Sequence, residues 1–202
     1  MTKIFLIRHG KTEWNNGGRY QGHSDIALSE EGKSQAKKLS IFLKETDIHL
    51  QAIYASDLIR AYETAEIVAI PHSIKVENHP GLREINFGKW EGLTFKEIKE
   101  QYSDLAQKWL VSPEELKIPE GESFNNVQIR AINALNEIIK IHEGQNIAIV
   151  SHGGTIRAII CKLMEIPLQK MWHFKLDNTA LSIFDIKESR AVLSLFNSIC
   201  HL

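Results

Sequence analysis

The sequence predicts an α/β fold with a largely parallel sheet, on two observations. Short apolar runs such as Ile4 to Ile7 and "NIAIV" alternate with longer stretches whose apolar residues recur at helical spacing. Two of those runs also end alike, the first in Arg8-His9-Gly10 and the later one in Ser151-His152-Gly153. A chain of 202 residues suits one domain, 1–202, with enough interior for a substantial core.

The first strand is Ile4 to Arg8, and a loop rich in Gly and Asn follows through Gly17, Gly18 and Gly22. Ser29 then caps a helix that carries Ala36, Leu39 and Leu43 on one face. The run "QAIYAS" reads as a strand ending at Ser56. Asp57 opens a helix whose Leu58, Ala61, Tyr62, Ala65, Val68 and Ala69 form an apolar stripe, leaving Arg60 and Thr64 off it. A short strand around Ile74 to Val76 precedes "GLREINFGKWEGLT". From Thr94 to Ile118 the chain is more polar and is broken by Pro113, which predicts a helical insertion, about 94–118, over the sheet edge and the site. A long helix from Ser123 to His142 buries Val127, Ala131, Ile132, Leu135, Ile138 and Ile139, and Gly144 ends it. "NIAIVSHGG" repeats the opening device, with Thr155 to Leu163 helical behind it. "TALSIFDI" and "AVLSLF" finish as a hairpin at the sheet edge. The apolar tail "AVLSLFNSIC" either packs on its own sheet or pairs with a second copy as a homodimer.

Charge narrows the partners. With 24 basic against 25 acidic residues and a formal charge of −1, the chain has no bulk electrostatic case for nucleic acid or an anionic membrane. Any anion must be bound locally. The two cysteines, Cys161 and Cys200, lie far apart without CxxC spacing, which fits a reducing cytoplasm rather than a disulfide framework or a zinc site. The opening apolar run is too short for a signal peptide, and no stretch approaches membrane-spanning length.

Ligands of open α/β sheets collect at the carboxyl ends of the strands, and the unusual residues of this chain fall there. Arg8 and His9 close the first strand, Arg60 opens the helix after "QAIYAS", Glu84 follows the next strand, and His152 closes "NIAIVS". Each alone has a bland explanation: a strand-end histidine in solvent, or a surface arginine in a weak ion pair. Together they suit a phosphomonoester. Two guanidiniums clamp a dianion bidentately, as lysine cannot. A neutral imidazole attacks phosphorus and leaves a phosphohistidine, while a second histidine donates to the equatorial oxygens. The leaving alkoxide needs a proton, and Glu84 is the candidate acid. No HExxH, DxD cluster, GxxxxGK[ST] loop or GxGxxG turn occurs, so neither a metal nor another cofactor is implied.

"LIRHGKTEWN" with "SHGG", "GRYQGHSDIALSEEGKSQA", "IYASDLIRAYETA" and "LREINFGKWEG" strongly resembles the histidine phosphatase superfamily, also called phosphoglycerate mutase-like, from Lys3 to about Phe184. The resemblance implies a three-layer α/β/α sandwich with a mainly parallel sheet. It implies that His9 is the phosphorylated nucleophile, Arg8 and Arg60 the phosphate clamp, His152 the second pocket histidine and Glu84 the proton donor. Asn15 with the Gln21-Gly22 turn would close over the phosphate, and Gly153 follows His152 as expected. Lys11 stands where the family usually has Glu or Gln, which adds a positive charge near the pocket mouth. "EINFGKWEG" lacks the His-Tyr-Gly of the mutases, so the chain resembles the phosphatase branch, especially alpha-ribazole phosphatases of cobalamin synthesis and broad-specificity phosphatases. Alpha-ribazole 5'-phosphate is thus the first expected substrate, a generalist or phosphoserine-type phosphatase the alternative, and a mutase the rival within the fold. Arg83 either reaches the substrate beyond the phosphate or stands as a solvated loop arginine. Among the tryptophans, Trp90 and the insertion are expected to face substrate, and no role is expected for His23, His49, His72, His79, His142, His173 or His201.

Overall fold

The computed structural model describes residues 1–46, 48–187 and 190–202. Its strands are β1 (Thr2–Arg8), β2 (Ala52–Ala55), β3 (Val76–Asn78), β4 (Asn146–Ser151), β5 (Leu181–Lys187) and β6 (Arg190–Ser198). They form one six-stranded sheet in the order β3-β2-β4-β1-β5-β6. The first four are mutually parallel, while β5 runs antiparallel to β1 and β6 antiparallel to β5. The α-helices are α1 (Glu13–Asn16), α2 (Glu30–Glu45), α3 (Ile59–Ala69), α4 (Phe95–Gln101), α5 (Ser103–Val111), α6 (Phe124–Ile141) and α7 (Gly153–Leu163).

The side-chain alternation of β1 explains the layers. Ile4 and Leu6 pack with Ile147, Ile149 and the buried residues of α6 and α7 on one face. Phe5 and Ile7 pack with Ala148, Val150 and the apolar stripes of α2 and α3 on the other. A slip of one residue would exchange the two faces, and each fully buried aliphatic or Phe side chain is worth about 1.5–3 kcal/mol. The register Ile7↔Val150, Arg8↔Ser151 is therefore strongly specified. It brings the two His-Gly ends side by side.

A third apolar cluster supports the roof of the site. Ile85, Phe87, Trp90, Ile98, Trp109 and Phe124 are buried together where α4 and α5 rest on the end of α6. Thr94 starts α4 with a reciprocal capping box to Glu97, and Ser123 starts α6 with another to Asn126.

Several boundaries move from the expected ones. The third strand lies two residues later than Ile74, at Val76–Asn78. The loop before Ser29 contains α1, a single turn held by a Thr12–Asn15 capping box. Helix α7 begins at Gly153 rather than Thr155. The antiparallel pair of β5 and β6 is present, and residues 188–189 between them lie outside the described residues. Among the described residues, no helix is long and apolar enough to cross a membrane.

Candidate active site

The parallel register of β1 and β4 places the first functional pair. Beyond Arg8↔Ser151 the His9 N–H donates to the Ser151 carbonyl at 2.9 Å, and the rings of His9 and His152 lie 5.1 Å apart, tilted by 57°. Both are buried, at 3% and 0% exposure. Nδ1 of His9 stands 2.7 Å from the Gly10 carbonyl oxygen. A carbonyl only accepts, so Nδ1 carries the proton and Nε2 keeps its lone pair. Burial first, then the charges of Arg60 and Arg8, hold His9 well below the ordinary histidine value. His152 is held low in the same direction by burial, then by Arg60, His9, Arg130 and Arg8. Both imidazoles are neutral at pH 7.

The two arginines expected to clamp phosphate come from different elements, Arg8 from the end of β1 and Arg60 from α3. Arg8 Nη1 donates to the Leu176 carbonyl at 2.7 Å. Arg60, fully buried, donates from Nη1 to Ser24 O at 2.9 Å and from Nη2 to Gly22 O at 2.7 Å. Its place off the apolar stripe of α3 is thus an inward one. Thr64, off the same stripe, is also buried, accepting from the Gly10 N–H and donating to the Arg60 carbonyl. Burial lowers both arginines to about 10, which leaves each charged at pH 7. Arg8 Nε, Arg60 Nε and both ring nitrogens of His152 are buried without a hydrogen-bond partner among the described residues. Such groups cost about 1–3 kcal/mol each when unpaired, so their concentration here is the mark of a preorganised anion site.

Glu84 is held by the start of α7. Its Oε2 accepts from the Gly154 N–H at 3.0 Å, and its Oε1 from the N–H groups of Thr155 at 3.1 Å and Ile85 at 3.0 Å. A Cβ at Gly154 would stand 2.5 Å from that carboxylate, so the approach requires glycine there. The loop is fixed from behind by Arg130 of α6, whose Nη1 donates to Gly81 O and Arg83 O and whose Nη2 donates to Glu84 O. The same guanidinium is paired bidentately with Glu122, which in turn accepts from the Asn86 N–H. His23, for which no role was expected, donates from Nε2 to the Glu84 carbonyl at 2.9 Å.

These groups meet at a cavity of about 450 Å³. Of the residues singled out in the sequence, Arg8, His9, Asn15, Gln21, Gly22, Arg60, Glu84 and Gly153 line it. His152 is not among the lining residues, its buried ring lying beside that of His9. Gly22 takes φ +54, and a Cβ there would meet Glu91 and the Phe87 backbone, which is why the turn that presents its carbonyl to Arg60 carries glycine.

Three expectations need correction. Arg83 does not line the cavity: its Nε and Nη2 bind both carboxylate oxygens of Asp57, at 2.7 and 2.5 Å, because that acid starts the neighbouring loop. Lys11 is drawn into an ion pair with Glu31 at 2.9 Å and does not line the cavity either. Trp90 is fully buried in the roof cluster instead of facing substrate. Trp109 and Trp172 take that place, with Leu110 of α5 beside them. Sequence reasoning also missed Arg157, which lines the cavity one helical turn after Gly153. Spacing of four residues from a strand-end glycine was the available signal.

A cavity lined by Arg8, Arg60, Arg157, His9 and Glu84, with the neutral ring of His152 against that of His9, suits phosphate-ester chemistry. The comparisons give the family. Residues 4–199 match the histidine phosphatase superfamily (branch 1). The chain is 38% identical over 202 residues to phosphoserine phosphatase 1 of Hydrogenobacter thermophilus, covering 100% of this chain and 95% of that one. It is 31% identical to the adenosylcobalamin/alpha-ribazole phosphatase of Escherichia coli, over 97% of this chain and 96% of that one. Among solved structures, a histidine-to-alanine mutant of phosphoserine phosphatase from Entamoeba histolytica, in complex with phosphoserine, is similar with a TM-score of 0.90 and 34% identity over 100% of both chains. Bacillus stearothermophilus YhfR gives 0.94 and 33% over 100% of this chain and 99% of that one. The chain therefore belongs to the histidine phosphatase superfamily and is a phosphomonoester hydrolase.

Proposed function

We propose that this chain hydrolyses phosphomonoesters without a metal, in two steps through a phosphohistidine on His9. The observation that carries the reading is the lock on that ring: Nδ1–H is spent on the Gly10 carbonyl, the imidazole is neutral, and Nε2 is the one nitrogen left to attack. Arg8 and Arg60 hold the non-bridging oxygens, and His152 donates to the equatorial charge as it develops. The Nε2–P bond forms as the P–O bond to the alcohol breaks, and protonated Glu84 gives its proton to the departing oxygen. In the second step the Glu84 carboxylate takes a proton from water, the hydroxide attacks phosphorus, the N–P bond breaks, and inorganic phosphate leaves with His9 neutral again. Among the described residues, no group of three or more His, Cys, Asp and Glu is placed to hold a metal ion.

For the alcohol, a phosphoserine-type substrate is the first reading. It rests on the higher identity to a phosphoserine phosphatase, 38%, than to an alpha-ribazole phosphatase, 31%. Alpha-ribazole 5'-phosphate is kept as the second, since Tyr20, Trp109 and Trp172 offer a nucleotide-like base an aromatic wall. Two free thiols, Cys161 and Cys200, suit the cytoplasm as the proposed setting.

The test is free phosphate released, with EDTA present, from phosphoserine, alpha-ribazole 5'-phosphate, 3-phosphoglycerate and p-nitrophenyl phosphate, with a rapid quench for acid-labile phosphoenzyme. Release in EDTA together with the trapped phosphohistidine supports the mechanism. Activity that disappears with EDTA, or turnover with no labelled enzyme, overturns it. The ester with the highest kcat/KM decides between the two alcohols.

A further inference from the structure

The cavity carries more positive charge than a phosphate needs. Arg8, Arg60 and Arg157 all line it, and Glu84 is the one acidic side chain among the lining residues. A phosphomonoester dianion matches Arg8 and Arg60. Beside Glu84, which all three guanidiniums share, no acidic side chain on the lining balances Arg157. Glu84 acts on all three guanidiniums; Asp25 and Glu91 also act on Arg60 and Asp177 on Arg8, whereas Arg157 has no carboxylate beside Glu84 acting on it. Arg19, at the exposed rim, is already bound to the Gly92 carbonyl and Glu97.

The Arg157 guanidinium is also held still. Its Nε donates to Phe174 O at 2.8 Å and its Nη1 to Gly153 O at 3.1 Å, and its Cζ lies 5.7 Å from the centroid of the Trp172 ring. Its Nη2 has no hydrogen-bond partner among the described residues. An atom placed at the Cβ position of Gly153 would be 3.1 Å from Arg157 Nη1 and 3.5 Å from Arg8 Nε. The two guanidiniums therefore stand together beside Gly153 on the cavity lining.

We infer that Arg157 is a specificity-determining residue whose guanidinium pairs with a carboxylate on the alcohol part of the substrate, so that the preferred esters are small phosphorylated hydroxy acids. The inference deepens the proposed phosphohistidine reading and rests on it. An amino group on the alcohol goes unread, because the lining offers no second acid to receive an ammonium. Phosphoserine and phosphoglycolate should then be treated alike, and phosphoethanolamine, which has the amine and lacks the carboxylate, should be rejected.

The experiment measures kcat/KM, with EDTA present, for phosphoserine, phosphoglycolate, phosphoethanolamine and p-nitrophenyl phosphate on the wild type, on Arg157→Met and on Arg157→Lys. In the wild type both carboxylate esters should exceed phosphoethanolamine by about 10- to 100-fold, the scale of one hydrogen-bonded charged pair. In Arg157→Met that ratio should fall towards one, and Arg157→Lys should restore part of it. The wild-type ratio stands as a test even where a variant fails to fold. A wild-type ratio near one, or an Arg157→Met loss equal on all four esters, overturns the inference and makes Arg157 a general phosphate or structural cation. If p-nitrophenyl phosphate is hydrolysed while the ratio is flat, only the inference fails. No phosphate from any ester overturns the underlying reading as well.

Discussion

The His9 ring stands 5.1 Å from the His152 ring, and each is kept neutral by burial and by the same two arginines. The relationship follows from strand register alone, since Arg8 pairs with Ser151 one residue earlier on each chain segment. Neutrality has a chemical use: a protonated imidazole has no lone pair to offer phosphorus. In the proposed mechanism clamp and nucleophile are thus coupled, because the charges that would bind phosphate also suppress protonation of the group that would attack it.

His9→Ala should lower kcat by roughly three orders of magnitude or more, the least expected from removing a covalent nucleophile. Arg8 and Arg60 remain, so inorganic phosphate or vanadate should still bind within about tenfold of the wild-type affinity. Steady-state rates with an inhibition titration check both. Near-normal turnover would show that another residue is phosphorylated.

Glu84→Gln should separate substrates by leaving group. Alkyl esters, whose alkoxides need a proton, should slow by about 10²- to 10⁴-fold. p-Nitrophenyl phosphate, whose phenolate leaves unaided, should lose much less. Equal losses on both would assign the proton to some other donor.

Arg130 touches neither phosphate nor nucleophile and acts as a positioning residue for Glu84, through three backbone carbonyls. Arg130→Gly should reproduce the leaving-group signature of Glu84→Gln in weaker form, and added guanidinium should recover part of the loss on alkyl esters. A uniform loss across leaving groups, with no recovery, would point to general loosening of the fold.

Stability should fall with acid in a window that belongs to histidine. His9 and His152 have folded values well below 6.5, so between that value and the folded ones the unfolded chain binds protons that the folded chain does not. Stability is fully present above pH 6.5 and is lost as pH falls below it, by up to about 1.4 kcal/mol per pH unit for each histidine. His72 and His201 are lowered in the same direction and add to the slope. Asp57, Glu122, Asp177 and Asp185, lowered from ordinary carboxylate values, contribute losses only nearer pH 4. Urea unfolding at pH 7.5, 6.5 and 5.5 measures the slope, and His9→Asn should reduce it by about one proton. An unchanged slope in that variant would remove His9 from the account.

The sequence by itself determined the strands, their order of appearance and the residues at their carboxyl ends. Ile4 to Ile7 and "NIAIV" are legible because a buried parallel strand must be apolar on both faces, and Arg8, His9 and His152 are conspicuous because each interrupts such a run. What the periodicity of α3 leaves open is where its polar side looks. Arg60 and Thr64 have the spacing of solvated residues, yet the fold turns that side onto the β1 loop and buries it. Arg83 and Trp90 mislead for the same reason, since Asp57 and the roof cluster that claim them are remote in sequence. Arg157 enters the site only because the face of α7 that carries Gly153 one turn earlier lines it. Local spacing reports which residues share a face. Only tertiary packing decides whether that face meets water, another layer or a charged cavity, because this depends on segments the local pattern does not contain.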